Sequence, residues 1–251
     1  MATRTVNSLQ RAATLLDALA DRSGPGSAVS ALAERTGLPY TTVHRLLLSL
    51  VVCGHARPAT DPGRPARGSG LVRLGAAARR TYGWWAQPYL ERLADLSGET
   101  ANLATLDGDE VVRVARARSR RSARPVTGTG TRAPAHTTAV GKVLLGYLSR
   151  AEVEQLAGRR GLPPRTQFTI TTVDRLLAAV DAARADGYAT DDEETELGVR
   201  CIAVPVLSAA NGVAPIAAMS VSGPSRRLTA ERCAVLVPRM VRLADQMARE
   251  S

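Results

Sequence analysis

The sequence predicts an α+β chain in two parts: a small helical head with a hairpin, then a larger body that mixes antiparallel hairpins with helices. Three observations carry this. Apolar residues keep a helical period through most of the first hundred residues, and from Ala101 the period becomes that of strands. Two tight-turn signals, Asp107-Gly108 and Asn211-Gly212, each stand between strand-like runs. The net charge of +10 is unevenly spread: residues 1–81 hold 11 arginines against 4 acids, and residues 82–251 hold 22 basic residues against 19 acids. With 251 residues there is room for two compact domains. Boundaries at 1–74, 75–97 and 98–251 separate head, connecting helix and body.

In the head, a first helix is expected from Ser8 to Ala20, with Leu9, Ala12, Ala13, Leu16 and Leu19 in period and Asn7 or Ser8 as cap. Residues 30–55, SALAERTGLPYTTVHRLLLSLVVCGH, hold two more helical patterns around Gly37-Leu38-Pro39. Ser30 is the expected cap of the first, Gly37 ends it in a left-handed conformation, and Pro39 opens the second. Val43, Leu46, Leu47 and Leu50 form one buried stripe. Tyr40, Thr41, Thr42 and Arg45 stand off that stripe, at the N-terminal end of the second helix. This is the layout of a helix-turn-helix, whose second helix offers its N-terminal side chains to base edges in a major groove. The alternative is an ordinary packed helical hairpin. The arginine excess around it favours a polyanionic partner, and the scarcity of aromatics favours duplex over stacked single strands. Residues 56–74 form a hairpin with a basic tip, a wing in which Arg64 and Arg67 would reach phosphates or the minor groove.

The connecting helix spans 75–97, broken at Pro88 and ended by Gly98. Trp84-Trp85 within it suits either a dimer contact or local burial. In the body, ANLATL and EVVRVARA are paired strands. Five arginines within 116–124 read as a solvated loop, with an anion site as the less favoured alternative. Thr137 or Thr138 caps the helix AVGKVLLGYL, Ser149 and Glu152 form a capping box, and Gly187 ends a helix carrying Val173, Leu176, Leu177 and Val180. Five acids within 191–196 form an acidic loop, followed by strands over 200–207 and up to Ser222. A final helix from Thr229 to Arg249 should kink at Pro238. The lone Lys142 against 32 arginines reads as codon usage rather than function.

Taken in order, three stretches resemble the IclR (isocitrate lyase regulator) family of transcription factors over residues 5–249: LAERTGLPYTTVHRLLLSL, AHTTAVGKVLL, and YATDDEETELGVRCIAVPV followed by AMSVSGPSRRLT. The resemblance implies an N-terminal winged helix-turn-helix, a connector helix, and a GAF-like effector domain with a central antiparallel sheet flanked by helices. It implies dimers or dimers of dimers, double-stranded DNA as partner, and a small carboxylate as effector. Carried over residue by residue, it places the effector pocket at the backbone of Ala139 and Val140, the Asp191 carboxylate, Cys201, and the Ser220 and Ser222 hydroxyls. The residues agree: Ala139 and Val140 sit in a helix's first turn, where amide groups lack partners. Gly141 would let a ligand approach the backbone, and Ser220 and Ser222 alternate with Val221 and so share a face. Asp191 would accept from a ligand hydroxyl or amine rather than meet its carboxylate.

Three widely spaced cysteines without a CxxC pair, no signal peptide and no membrane-length apolar run point to a reducing, cytoplasmic setting. No cofactor or metal is expected. The rival readings are a Cys201 nucleophile with His136 as base, a metal held by His136, Asp191 and Cys201, or an effector-independent DNA binder.

Overall fold

A computed structural model describes residues 6–20, 28–58, 65–82, 85–119, 128–208 and 214–250. Arg64 and most of the wing tip, Trp84, most of the arginine cluster beyond Ser119, and the Asn211-Gly212 turn lie outside them. The chain divides into two compact units, 1–78 and 79–251.

The first unit holds α1 (Asn7–Ala20), α2 (Val29–Thr36), α3 (Tyr40–Val52) and a two-stranded ribbon, β1 (Ala56–Arg57) with β2 (Ala66–Arg67). Leu15 and Leu19 of α1, Leu32 of α2, and Val43, Leu47 and Leu50 of α3 are buried together with Ala56. Leu9, expected on the buried stripe, is exposed, because α1 turns Leu15 rather than its first turn to the core. Ser30 is not a cap: α2 starts two residues earlier than that cap requires, with Ala28 in the capping position. Gly37 ends α2 at φ 67, as its place before the turn required. The ribbon is shorter than expected, and Gly70 already opens α4 (Gly70–Tyr82). Its base is tied to the end of α3: Gly68 N donates to His55 O and Gly70 N to Gly54 O, both at 2.9 Å. A Cβ on Gly68 would stand 2.2 Å from the Gly54 carbonyl, so only glycine allows that approach.

The second unit begins after Ala78. Helix α5 (Gln87–Ser97) takes Pro88 in its first turn and ends at Gly98, φ 66. There follow β3 (Thr100–Asp107), β4 (Glu110–Ala117), β5 (Arg132–Pro134), a 3₁₀ turn over Ala135–Thr137, α6 (Ala139–Leu145), α7 (Arg150–Arg160), α8 (Val173–Asp186), β6 (Ala189–Asp192), β7 (Val199–Leu207), β8 (Pro215–Pro224) and α9 (Ala230–Ala248). The strands form one antiparallel sheet in the order β5-β4-β3-β8-β7-β6. Asp107 pairs with Glu110, so the turn residues are Gly108 and Asp109. Only the glycine has positive φ, the pattern of a type II′ turn one residue on from the expected Asp-Gly pair.

Alternation along the strands divides the core in two. Ala101, Leu103, Ile202, Val204, Met219 and Val221 face α5 and α9, meeting Leu90, Leu93, Leu236, Met240 and Met247. Ala104, Val111, Ala203 and Ala218 face α6 and α8, meeting Val143, Leu144, Leu176, Leu177 and Val180. The small side chains on this second face leave space between sheet and helix. Helix α9 runs without a break past Pro238. Thr138 caps α6, accepting from Gly141 N at 2.9 Å, and the Ser149–Glu152 capping box is complete. Among the described residues no helix is long and apolar enough to cross a membrane.

Candidate functional site

Two features of the structure gather the candidate residues. The first is the N-terminal half of α3. Burial of Val43, Leu47 and Leu50 fixes the helix's rotation, which turns Tyr40, Thr41 and Arg45 to solvent and leaves Thr42 half-buried. The Tyr40 ring stacks on exposed His44, with centroids 6.4 Å apart and planes at 19°. His44 was missed in the sequence because a histidine off the buried stripe has no signal until its neighbour one turn earlier is known to be aromatic and outward. Arg67 is exposed on β2.

The second is a cavity of about 460 Å³ on the small-residue face of the sheet. It is lined by Ala139 and Val140 at the start of α6, Asp191 on β6, Cys201 on β7, and Ser220 and Ser222 on β8. The register explains why these distant positions meet: Asp191 pairs with Cys201, and Cys201 with Ser222. Asn102 pairs with Ser220 from β3. Cys201 Sγ donates to Ser222 Oγ at 3.1 Å, and Asn102 Nδ2 to the same oxygen at 3.4 Å.

Strand β6 had no sequence signal. Its residues open the acidic run, which was expected to be a solvated loop. Instead Asp191 and Glu194 are buried. Asp191 Oδ1 accepts from the backbone N–H of Glu194 at 2.8 Å and of Thr195 at 3.2 Å. Burial, reinforced by nearby Glu194, still pushes its pKa up to about 6. Glu194 pairs with Lys142 of α6 at 2.5 Å, both nearly inaccessible. The lysine set down in the sequence to codon usage thus has a buried carboxylate partner. The loop is further held by Thr166 and Thr169, whose hydroxyls donate to the carbonyls of Glu193 and Glu194 at 2.7 Å. Glu193 itself sits at φ 63, rare outside glycine.

Gly141 does not serve ligand approach. A Cβ there would lie 2.0 Å from the Ala135 carbonyl, so the missing side chain lets α6 close on the preceding turn. Further cavity residues escaped the sequence reading, among them Asn102, Arg113, Thr131 and Arg165. Arg113 turns inward because Val114 is an extra residue in β4: Leu103 pairs with Ala115 but Ala104 with Arg113. Arg116 belongs to β4 and is half-buried rather than part of a solvated loop. Its pKa is lowered to about 10, first by burial and then by Arg113 and Arg118.

The nucleophile reading fails on chemistry. Burial and the neighbouring Asp191 push the Cys201 thiol up to about 12, far from the thiolate a nucleophile needs. His136 Nε2 bonds the Pro163 carbonyl at 3.2 Å and lines a separate cavity of about 150 Å³. That separation also dissolves the three-residue metal reading, and among the described residues no group of three His, Cys, Asp or Glu could hold an ion.

Comparison with known proteins agrees with this architecture. The IclR helix-turn-helix domain matches residues 8–58, and the family "Bacterial transcriptional regulator IclR C-terminal" matches residues 84–249. The HTH-type transcriptional regulator BhcR of Paracoccus denitrificans is 32% identical over 245 residues, 97% of this chain and 86% of its own. The crystal structure of an IclR transcriptional regulator from Alicyclobacillus acidocaldarius superposes with a TM-score of 0.83 at 25% identity, covering 99% and 100% of the two chains. A double mutant of the inducer-binding domain of the Acinetobacter transcription factor PobR, in complex with 3-hydroxybenzoic acid, is 34% identical with a TM-score of 0.60, over 65% of this chain and 95% of that one. With both halves matched and a relative 32% identical over 97% of this chain, the chain belongs to the IclR family of DNA-binding transcriptional regulators, which are not enzymes.

Proposed function

We propose that the protein is a cytoplasmic, ligand-responsive regulator that binds a pseudo-palindromic operator as a dimer or a pair of dimers. A small organic acid held in the sheet-floored cavity is its effector. The observation that carries the effector half is the convergence on one cavity of six residues far apart in sequence: Ala139, Val140, Asp191, Cys201, Ser220 and Ser222. The 3-hydroxybenzoic acid bound by the related inducer-binding domain supports the same ligand class. Asp191 accepts from a hydroxyl or amine of the effector, and the serine hydroxyls orient to it from one face of β8. In the head, Thr41 and Thr42 meet phosphate or base edges, Tyr40 borders them, Arg45 reads a base, and Arg64 and Arg67 grip the backbone. The domain limits 1–74, 75–97 and 98–251 assign these two tasks to separate parts of the chain.

Both halves have direct tests. A thermal-shift screen of small carboxylates should raise the midpoint with a true effector, since such a ligand binds only the native state; a panel without any shift removes the effector half. In duplex-binding assays Arg45→Ala should relax preference at one base pair, a loss of about 1–3 kcal/mol there. Arg64→Ala and Arg67→Ala should weaken all duplexes alike and flatten the salt dependence. Unchanged base preference in Arg45→Ala would refute its assignment.

A further inference from the structure

The cavity of about 150 Å³ that His136 borders lies among the helices on the small-residue side of the sheet. Among the described residues it shares no lining residue with the larger effector cavity. Pro134, Ala135 and His136 border the smaller one, and Thr138, Ala139 and Val140 the larger, so a single turn of chain separates them. The inner wall of the smaller cavity comes from three helices. Leu145 ends α6, Val153 and Ala157 stand four apart on α7, and Leu176 lies in the first turn of α8; each is at most 5% exposed. Residues four apart share a helix face, which is why α7 turns both toward the cavity. Aliphatic walls give a water molecule too few hydrogen-bond partners, and a cavity of this volume takes a molecule of benzene size.

One buried polar ring joins that lining. His136 is 5% exposed, and its Nε2 bonds the Pro163 carbonyl at 3.2 Å. A carbonyl oxygen can only accept, so Nε2 carries the ring's proton. Burial holds the imidazole below the ordinary histidine pKa, which leaves the ring neutral at pH 7. Nδ1 is then an acceptor, with no hydrogen-bond partner among the described residues. The charged side chains of the lining are acids, Asp109 and Glu110, and among the described residues no cation lines the cavity to balance a carboxylate.

We propose that this cavity is a second small-molecule site, for a compact neutral molecule with an apolar body and one hydroxyl, such as a phenol or a short alcohol. The body packs against Leu145, Val153, Ala157 and Leu176, and the hydroxyl donates to His136 Nδ1. The site's chemistry is the reverse of the effector cavity's, where polar and charged groups surround a larger space. It does not depend on which molecule the effector cavity takes.

Fluorine NMR titration of the full-length protein tests this with 4-fluorophenol, fluorobenzene and 4-fluorobenzoate. Both neutral probes should bind saturably, the phenol about three- to tenfold more tightly, the effect of one hydrogen bond. Overhauser contacts from both to the methyl groups of Val153 and Leu156 should place them in this cavity, and 4-fluorobenzoate should give none. Ala157→Leu fills the cavity with a side chain that suits a helix and should weaken both neutral probes at least about tenfold. His136→Phe keeps a planar ring without the acceptor and should bring 4-fluorophenol to the affinity of fluorobenzene. The Overhauser contacts and the phenol-to-benzene ratio in the unmutated protein decide the matter should either variant fold poorly. If neither neutral probe touches Val153 or Leu156, or if Ala157→Leu folds and leaves their binding unchanged, the site is overturned. Equal affinities for 4-fluorophenol and fluorobenzene would overturn the role of His136. Seating of 4-fluorobenzoate on the same methyl groups would overturn the neutral ligand class.

Discussion

Asp191 is a residue whose chemistry departs far from what its type implies. Its carboxyl is 1% exposed and keeps its proton up to about pH 6, against 3.8 for an ordinary aspartate. The unfolded chain releases that proton near 3.8, so between these values the native state binds more protons and stability falls as pH rises. Above the window the loss persists, at up to about 3 kcal/mol. Asparagine resembles the protonated acid and can still accept from the amides of Glu194 and Thr195. Asp191→Asn should therefore melt higher than the unmutated protein at pH 7, with the difference vanishing near pH 4; melting curves across that range decide it. A lower melting point at pH 7 would show that the charge is welcome in its pocket. The sequence pointed to Asp191 only through family resemblance, since an acid inside an acidic run says nothing about burial. Arg113 carried no signal of any kind. Strict alternation groups it with Ala115 and Ala117, and only the Val114 bulge separates their faces.

Among the elements, those specified by local contacts were legible and those held by distant ones were not. Helix α3 shows its apolar stripe, α2 its glycine stop, α7 its capping box, and β3–β4 their turn, each within a single helix or hairpin. Strand β6 is the opposite case. Aspartates are poor strand formers, and the four residues Ala189–Asp192 are extended because β7 pairs with them. The loop beyond depends equally on a partner from elsewhere, the Lys142–Glu194 ion pair. Lys142→Met would leave Glu194 buried without its cation and should cost about 3–5 kcal/mol, read as a fall in denaturation midpoint. Lys142→Met combined with Glu194→Gln should regain much of that loss, because no buried charge then remains. A double variant as unstable as the single one would mean the loop is held by its threonine hydrogen bonds instead. In the wing, Gly68→Ala should be costly for a different reason, the 2.2 Å approach to the Gly54 carbonyl, and should weaken duplex binding by misplacing β2.

For the whole molecule, the consequential fact is that the buried apolar residues form separate cores. The head's core runs from Leu15 to Ala56, and the two cores on either side of the sheet take every member from Ala86 onward. A unit with its own core can unfold on its own, so a single two-state transition is not required of the chain. The head is small and its core holds few large side chains, which makes it the weaker unit. Thermal unfolding should accordingly show a lower transition from the head and a higher one from the sheet unit. An effector bound in the cavity should raise only the higher transition, by about 2.7 kcal/mol at a hundredfold excess over Kd. Operator duplex should raise the lower one. If effector also moves the lower transition, the two units exchange free energy directly, and the size of that movement measures the coupling, typically about 1–3 kcal/mol in allosteric proteins. Differential scanning calorimetry with effector alone, duplex alone and both together separates these cases. A single transition displaced equally by either ligand would contradict independent cores.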